Sequence, residues 1–253
     1  MTVKIILSER KLGRKESESR KEKNMADTFT VYRREDKYEI NYIQMQELSE
    51  LLSQTLVEDQ HNQHMGYMVR SVYFDTYDHY DYYSKLEGLE ERKKIRLRIY
   101  GAGSNQVKLE QKEKKGSFQR KTSLSLERED AKEVLRGNYE VLRKLNTPVA
   151  KKFYNIMSLE QRKPVSMVEY RRKAYIHPMN QIRLTIDYDI RVSESEFDLF
   201  GECPVLLPAE DTFFALLEVK YNGFLFQWIG NLLEKFELHQ SSYSKYMVSR
   251  QNI

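Results

Sequence analysis

The feature that most limits what this chain can fold into is an alternation of charged with apolar side chains that recurs along most of its length. In 182–190, Arg183, Thr185, Asp187 and Asp189 share one face, opposite Ile182, Leu184, Ile186, Tyr188 and Ile190. A period of two sends successive side chains to opposite sides of a strand, so the pattern predicts half-buried β-strands. Segment 95–99 repeats it with Arg96 and Arg98, 107–111 with Lys108 and Glu110 (continuing to Lys112), and 217–221 with Glu218 and Lys220. Arg33, Glu35 and Lys37 show it before Ile40. Between Phe118 and Leu126, residues Lys121, Ser123 and Ser125 face away from Leu124 and Leu126, a parity that puts Lys121 rather than Arg120 on the charged side.

Helical spacing interrupts the strands. Met45, Leu48, Leu52, Thr55 and Leu56 in 44–59, and Leu225, Trp228, Ile229, Leu232, Leu233 and Phe236 in 224–238, predict two helices that pack by one face. Residues 128–136 and 148–160 read as helices too, the second with Thr147 as N-cap and Pro148 at its first position. Many strands with a few interspersed helices, and no repeat or Gly/Ser linker, predict one α+β domain over 25–253 dominated by antiparallel sheet. Residues 1–24 read as a disordered leader, with Met25 as an alternative start. The leader carries 8 Lys+Arg and 4 Glu, which accounts for the whole net charge of +4 and leaves 34 of each sign in the rest. Its apolar patch at 3–7 precedes the charge run, the reverse of a signal peptide.

Composition narrows the function classes. No run approaches the roughly 18 consecutive apolar residues of a membrane-spanning helix. The single cysteine, Cys203, excludes an intramolecular disulfide and a multi-cysteine zinc site, and suits a reducing cytoplasm. It is expected to be a small buried or loop residue. Neither a Gly-x-x-x-x-Gly-Lys-Ser/Thr loop nor a Gly-x-Gly-x-x-Gly turn occurs. His61 and His64 lie in a polar stretch and read as solvated. Tyr77, Tyr80, Tyr82 and Tyr83 read as packing of a connecting segment rather than a base-stacking site.

One charged strand face is an ordinary solvated surface, but some six strands share faces built from Arg, Lys and Glu with few Thr. Were such a sheet to close with this face inward, it would enclose a wet, mainly cationic channel with helices on its apolar exterior, suited to a polyanion.

Eight stretches in order carry a resemblance: Arg33-x-Glu35-x-Lys37-Tyr38, Ser71-Val72-Tyr73-Phe74-Asp75-Thr76, Lys94-Ile95-Arg96-Leu97-Arg98-Ile99-Tyr100, Leu109-Glu110-Gln111-Lys112, Tyr170-x-Arg172-x-Ala174-Tyr175, Arg183-x-Thr185-x-Asp187, Leu217-Glu218-Val219-Lys220-Tyr221 and Ser244-Lys245-Tyr246. Together they resemble the VTC (vacuolar transporter chaperone) polyphosphate polymerase domain, a family of the triphosphate tunnel metalloenzymes. The resemblance implies an eight-stranded antiparallel β-barrel, the triphosphate tunnel, with helices packed outside. It implies a Mn²⁺- or Mg²⁺-dependent transfer of the γ-phosphate of ATP onto a growing inorganic polyphosphate chain.

Carried over by motif, Lys37, Arg96, Arg98, Arg172 and Lys220 are the expected catalytic cations. Arg33, Lys112, Lys121, Arg183, Ser244 and Lys245 are expected to bind substrate, and Glu218, with Glu35 and Glu110, to hold metal or orient the bases. Arg33 stands where hydrolytic relatives have the first Glu of Glu-x-Glu-x-Lys, which favours the polymerase branch over tripolyphosphatase and cyclase branches. Two other readings remain: a tunnel hydrolase of tripolyphosphate or nucleoside triphosphates, and a non-catalytic polyanion binder. The expected partners are ATP and polyphosphate or triphosphate, with no nucleic acid. The expected location is the cytoplasm, at the inner face of a membrane through a separate membrane protein.

Overall fold

Each alternating segment forms a strand, and the strands join into one antiparallel sheet. The computed structural model describes residues 28–29, 33–116, 118–178, 180, 182–209 and 214–250; the leader at 1–24 and Met25 lie outside them. The strands are β1 (Thr28–Phe29), β2 (Arg33–Ile40), β3 (Val57–Glu58), β4 (Tyr67–Asp75), β5 (Glu91–Ile99), β6 (Gln106–Lys115), β7 (Phe118–Glu127), β8 (Lys163–Ile176), β9 (Arg183–Ser193), β10 (Leu207–Pro208), β11 (Ala215–Asn222) and β12 (His239–Gln240). The helices are α1 (Tyr42–Thr55), α2 (Tyr80–Leu86), α3 (Arg128–Leu135), α4 (Glu140–Lys144), α5 (Pro148–Leu159), α6 (Gln227–Lys235) and α7 (Lys245–Val248). Among the described residues no helix is long and apolar enough to cross a membrane.

The sheet runs β1-β7-β6-β5-β4-β8-β9-β11-β2-β12, with β10 on β9 and β3 on β8, twelve strands in all. The closed eight-stranded barrel that the resemblance implies is not shown among the described residues. Eight strands are long, but short β1 takes up the free edge of β7 and short β12 that of β2, and no ladder joins β7 to β2 among the described residues. The sheet is nonetheless strongly curled. Phe29 pairs with Lys121 at one edge while Arg33 pairs with Asn222 near the other. Four peptide units can span at most roughly 14 Å, so the two edges lie within that reach. Lys112 of β6 and Glu35 of β2, far apart in sheet order, meet at 3.1 Å.

The apolar strand faces explain the curl, because helices cover them from outside. Val72, Leu97, Leu109 and Leu124 pack with Val134, Leu142, Phe153 and Met157 of α3, α4 and α5. Leu184, Ile186, Leu217 and Val219 pack with Leu48 and Leu52 of α1 and Ile229 and Leu233 of α6. Burying each such side chain stabilises the fold by about 1.5–3 kcal/mol. Local signals start the helices: Asn41 and Gln44 form a reciprocal capping box on α1, and the Thr147 hydroxyl accepts the Ala150 N–H at 3.1 Å ahead of Pro148. α1 ends at Thr55, short of the expected Asp59, because Val57 and Glu58 are drawn into pairing with Ile176 and Tyr175. Cys203 lies in a bend and is exposed.

The ladders slip register at two places among the described residues, in β4–β8 between Tyr73 and Phe74 and in β8–β9, and the second changes which side chains face inward. Asp189 has a left-handed backbone (φ 50°), and the β8–β9 register slips between Glu169 and Arg171. A slip of this kind sends the following side chains to the other face. Ile190 and Val192 therefore pack with Val69, Tyr73, Tyr170 and Tyr246 rather than with Ile186.

Gly66 (φ +65°) leads into β4, and a Cβ there would come within 2.4 Å of the Arg172 carbonyl oxygen. Gly66→Ala is expected to lower stability by roughly 2 kcal/mol or more, from left-handed strain plus a backbone clash. Urea unfolding measures it, and a wild-type midpoint would refute the requirement.

Candidate functional site

The strand parity that buries the apolar faces outside turns the charged faces inward, and they converge there. Asp187 of β9 is fully buried. Its carboxylate accepts from Arg172 Nε at 2.6 Å and Nη2 at 2.7 Å and pairs with Lys245 Nζ at 2.7 Å. Beside it Glu218 of β11 contacts Lys245 at 3.6 Å, Arg172 at 3.7 Å, Lys37 at 4.0 Å and, most closely, Lys220. Burial opposes the charge of both carboxylates. The surrounding cations win: Lys220, Lys245, Lys37 and Arg172 hold Glu218 well below the usual carboxylate range, and Arg172 and Lys245 lower Asp187. In return Asp187 and Glu218 raise the pKa of Lys245 against its own burial.

A second acid lies across the inner face. Glu110 of β6 binds Arg96 at 2.8 Å, Arg98 at 3.6 Å and Lys121 at 2.5 Å. Against burial, those cations push its pKa far down. Arg96 also donates to the Tyr73 hydroxyl at 3.1 Å, and Arg98 to Ser71 Oγ at 3.3 Å. Glu35 of β2 joins the groups: it pairs with Lys112 at 3.1 Å and Lys37 at 3.5 Å, and is lowered to about 2, burial being overcome chiefly by Lys220. Eight cations (Lys37, Arg96, Arg98, Lys112, Lys121, Arg172, Lys220 and Lys245) thus surround four carboxylates, and Lys94 stands opposite Lys112 with no carboxylate of its own among the described residues. Such an excess on a concave, half-buried surface focuses a positive potential, which attracts anions.

The family model described as the VTC domain matches residues 32–253. The chain belongs to the VTC domain family. No curated protein matches it. Among solved structures, this VTC domain is similar to HpAC1 from Hippeastrum, a candidate adenylyl cyclase with a dominant triphosphatase activity, at 14% identity and TM-score 0.50 over 85% of this chain and 94% of that one. It is similar also to a candidate adenylate cyclase from Bacillus halodurans, at 15% identity and TM-score 0.49 over 86% and 95%. A third is PH1819 from Pyrococcus horikoshii, at 13% identity and TM-score 0.46 over 86% and 97%. The likeness to the Hippeastrum protein is one of fold.

The expected residues do not all converge. α7 enters the inner face of the VTC domain, with Tyr246 stacked 5.0 Å from Tyr73 and its hydroxyl on Asp75. This places Lys245 at the two acids and Ser244 Oγ 2.6 Å from Lys94 Nζ. Arg183 turns away from them, donating to Asp59 at 3.0 Å and to the Tyr67 hydroxyl at 3.1 Å. Arg33 opens β2 opposite Asn222, and its side chain is outside the described residues. His61 pairs with Asp59 at 2.8 Å on the surface.

For a divalent metal, no three His, Cys, Asp or Glu side chains gather among the described residues. Glu35 and Glu218 nevertheless fit a hard cation: both are ionised oxygen donors, and both reach Lys37. Mg²⁺ or Mn²⁺ commonly takes one or two carboxylates and fills its shell with phosphate oxygens and water. Glu110 is held by two arginines and a lysine, the arrangement of an acid that orients bases.

Sequence reasoning gave no role to Asp187, Lys94, Tyr73 or Tyr170. Asp187 and Lys94 share parity with Arg183 and Arg96, so position was a usable signal. That Asp187 neutralises Arg172 and Lys245 required the β8–β9 register and α7. Tyr170 lies under both cations, 5.3 Å from Arg172 and 4.7 Å from Lys245.

Lys94 carries a pH signature. Burial, then Lys37, Lys85, Lys112 and Arg96, pull it from 10.5 to about 7. Between those values the unfolded chain binds the extra proton, so Lys94's contribution to stability rises with pH. Lys94→Met is expected to raise the melting temperature below pH 7, with the gain shrinking toward pH 10.5. Thermal scans across that range check this, and a constant gain would contradict it.

Proposed function

We propose that this VTC domain is a metal-dependent polyphosphate polymerase that moves the γ-phosphate of ATP onto the end of an inorganic polyphosphate chain. The observation that carries the reading is the inward excess of cations over carboxylates, with Arg96, Arg98, Arg172, Lys37, Lys220 and Lys245 on one concave face. The proposal includes closure of the curled sheet into a tunnel, supported by the short reach between its edges and by the Lys112–Glu35 pair.

Phosphoryl transfer asks for positioning and charge neutralisation more than for a side-chain nucleophile. A terminal oxygen of the chain attacks the γ-phosphorus, the new P–O bond forms, the bond to the β-phosphate breaks, and ADP leaves. Arg96, Arg98 and Arg172 supply forked, permanently charged donors for equatorial oxygens, held by Glu110 and Asp187. Lys37, Lys220 and Lys245 are on flexible stems around Glu218 and can turn from it to phosphate. Lys112, Lys121 and Ser244 extend the binding surface. A divalent ion held by Glu218 and Glu35 would neutralise phosphate oxygens as charge shifts to the leaving group.

Purified protein incubated with ATP and Mn²⁺, with products resolved on a gel, is expected to give a ladder of long chains. Orthophosphate alone would replace the reading with hydrolysis, and unchanged ATP, primed and unprimed, with simple binding. Glu218→Gln, which keeps the shape but removes the charge, is expected to abolish chain synthesis; wild-type yield would remove Glu218 from the mechanism.

A further inference from the structure

The inner face changes character along the β5–β6 pair. At its centre Arg96 stands opposite Glu110 and is neutralised by it at 2.8 Å. Toward Gly116, where β6 turns into β7, cations stand opposite cations: Lys94 faces Lys112, and Arg92 faces Lys114. Like charges directly across a ladder are destabilising, so these rows need a reason. Lys112 finds Glu35, but Arg92, Lys94 and Lys114 have no carboxylate within ion-pair distance among the described residues. Lys85 is on α2, which packs against β5, and partial burial and then Arg92, Lys37 and Lys114 pull its pKa down.

The other end of the same strands is built differently. There Arg98 also faces a cation, Lys108, but Arg98 is held by Glu110 at 3.6 Å and lies over Tyr100, Lys108 donates to Ser125 at 2.6 Å, Tyr100 lies 6.2 Å from Tyr67, and Arg183 is compensated by Asp59 at 3.0 Å. One end therefore compensates its arginines with acids and aromatic rings, whereas at the other Arg92, Lys94 and Lys114 have no carboxylate among the described residues, Lys94 resting only on Ser244 at 2.6 Å and over the Tyr246 ring. An inorganic chain has a charge on every phosphate and no apolar group, so it matches the second kind of surface and gains nothing from the first.

We propose that Lys85, Arg92, Lys94 and Lys114 form a track that carries the inorganic polyphosphate chain outward from the site past the β6–β7 turn. The track rests on the polymerase reading and adds to it a direction. The chain supplies the counter-charge that these rows lack, and its length beyond a triphosphate is what reaches them.

The test is the triple variant Lys85→Gln, Arg92→Gln, Lys114→Gln, titrated calorimetrically with long-chain polyphosphate and with tripolyphosphate at several salt concentrations. Long-chain affinity is expected to fall roughly tenfold or more, and its log–log salt slope to drop by about 2, for three lost phosphate contacts. Tripolyphosphate affinity is expected to stay at the wild-type value. Unchanged long-chain affinity, or an equal loss for tripolyphosphate, would overturn the track while leaving the polymerase reading in place. A wild-type protein that binds neither ligand would overturn both. Lys114→Glu alone, at a half-buried position, is expected to weaken the long chain in the same direction should the triple variant not fold, and no change there would likewise overturn the track.

Discussion

The structure depends on keeping many like charges close together on the inside of a curved sheet. Two buried acids do most of this. Asp187 clamps Arg172 with both oxygens and takes Lys245 as well, and Glu218 meets Lys37, Lys220, Lys245 and Arg172. Desolvated ion pairs add little net stability compared with apolar packing, whereas removing one partner leaves a stranded charge. The arrangement therefore holds the cations in place without being what stabilises the fold, and under the proposed function it keeps them ready for phosphate.

That stability comes from the outer layer. The helices α1, α3, α4, α5 and α6 cover the apolar strand faces in two clusters, and the sheet curls so that the charged faces look at one another. The β8–β9 bulge then changes the lining. Beyond Asp189 it brings Ile190 inward to meet Tyr170 and Tyr246, so part of the inner face is an apolar floor on which α7 is laid. Through that floor the end of the chain delivers Lys245 and Ser244 to strands far from them in sequence. The site thus combines residues spaced over most of the domain, from Glu35 to Lys245; those on strands depend on packing on the opposite side of the strand, and Lys245 on the seating of α7.

Much of this was legible beforehand because side-chain direction in a strand follows parity alone. Arg96, Arg98, Glu110, Lys121, Glu218 and Lys220 could be put on one face from their positions, and they occupy that face. Thr147 and Pro148 likewise announced α5. Parity gave no information where the backbone breaks step, at Asp189, or where a long side chain chooses between partners, as Arg183 does in turning to Asp59 and Tyr67. Short elements also escaped: α2, α4 and α7 have too few residues for a period to show, and β3 and β12 exist only because a longer strand offers a free edge.

By itself the sequence determined that this chain would form an antiparallel sheet with one apolar and one charged face, and which residues would populate each, since both follow from local geometry. Only the tertiary structure decided which charge meets which. The clustering of Lys37, Arg172 and Lys245 on Glu218, the burial of Asp187, and the contrast between a neutralised centre and the uncompensated Arg92–Lys114 row depend on register, curl and the path of α7. Those are properties of tertiary packing, where the free energy of a charge is set by neighbours from other strands and from α7, as far off in sequence as Lys37 is from Glu218.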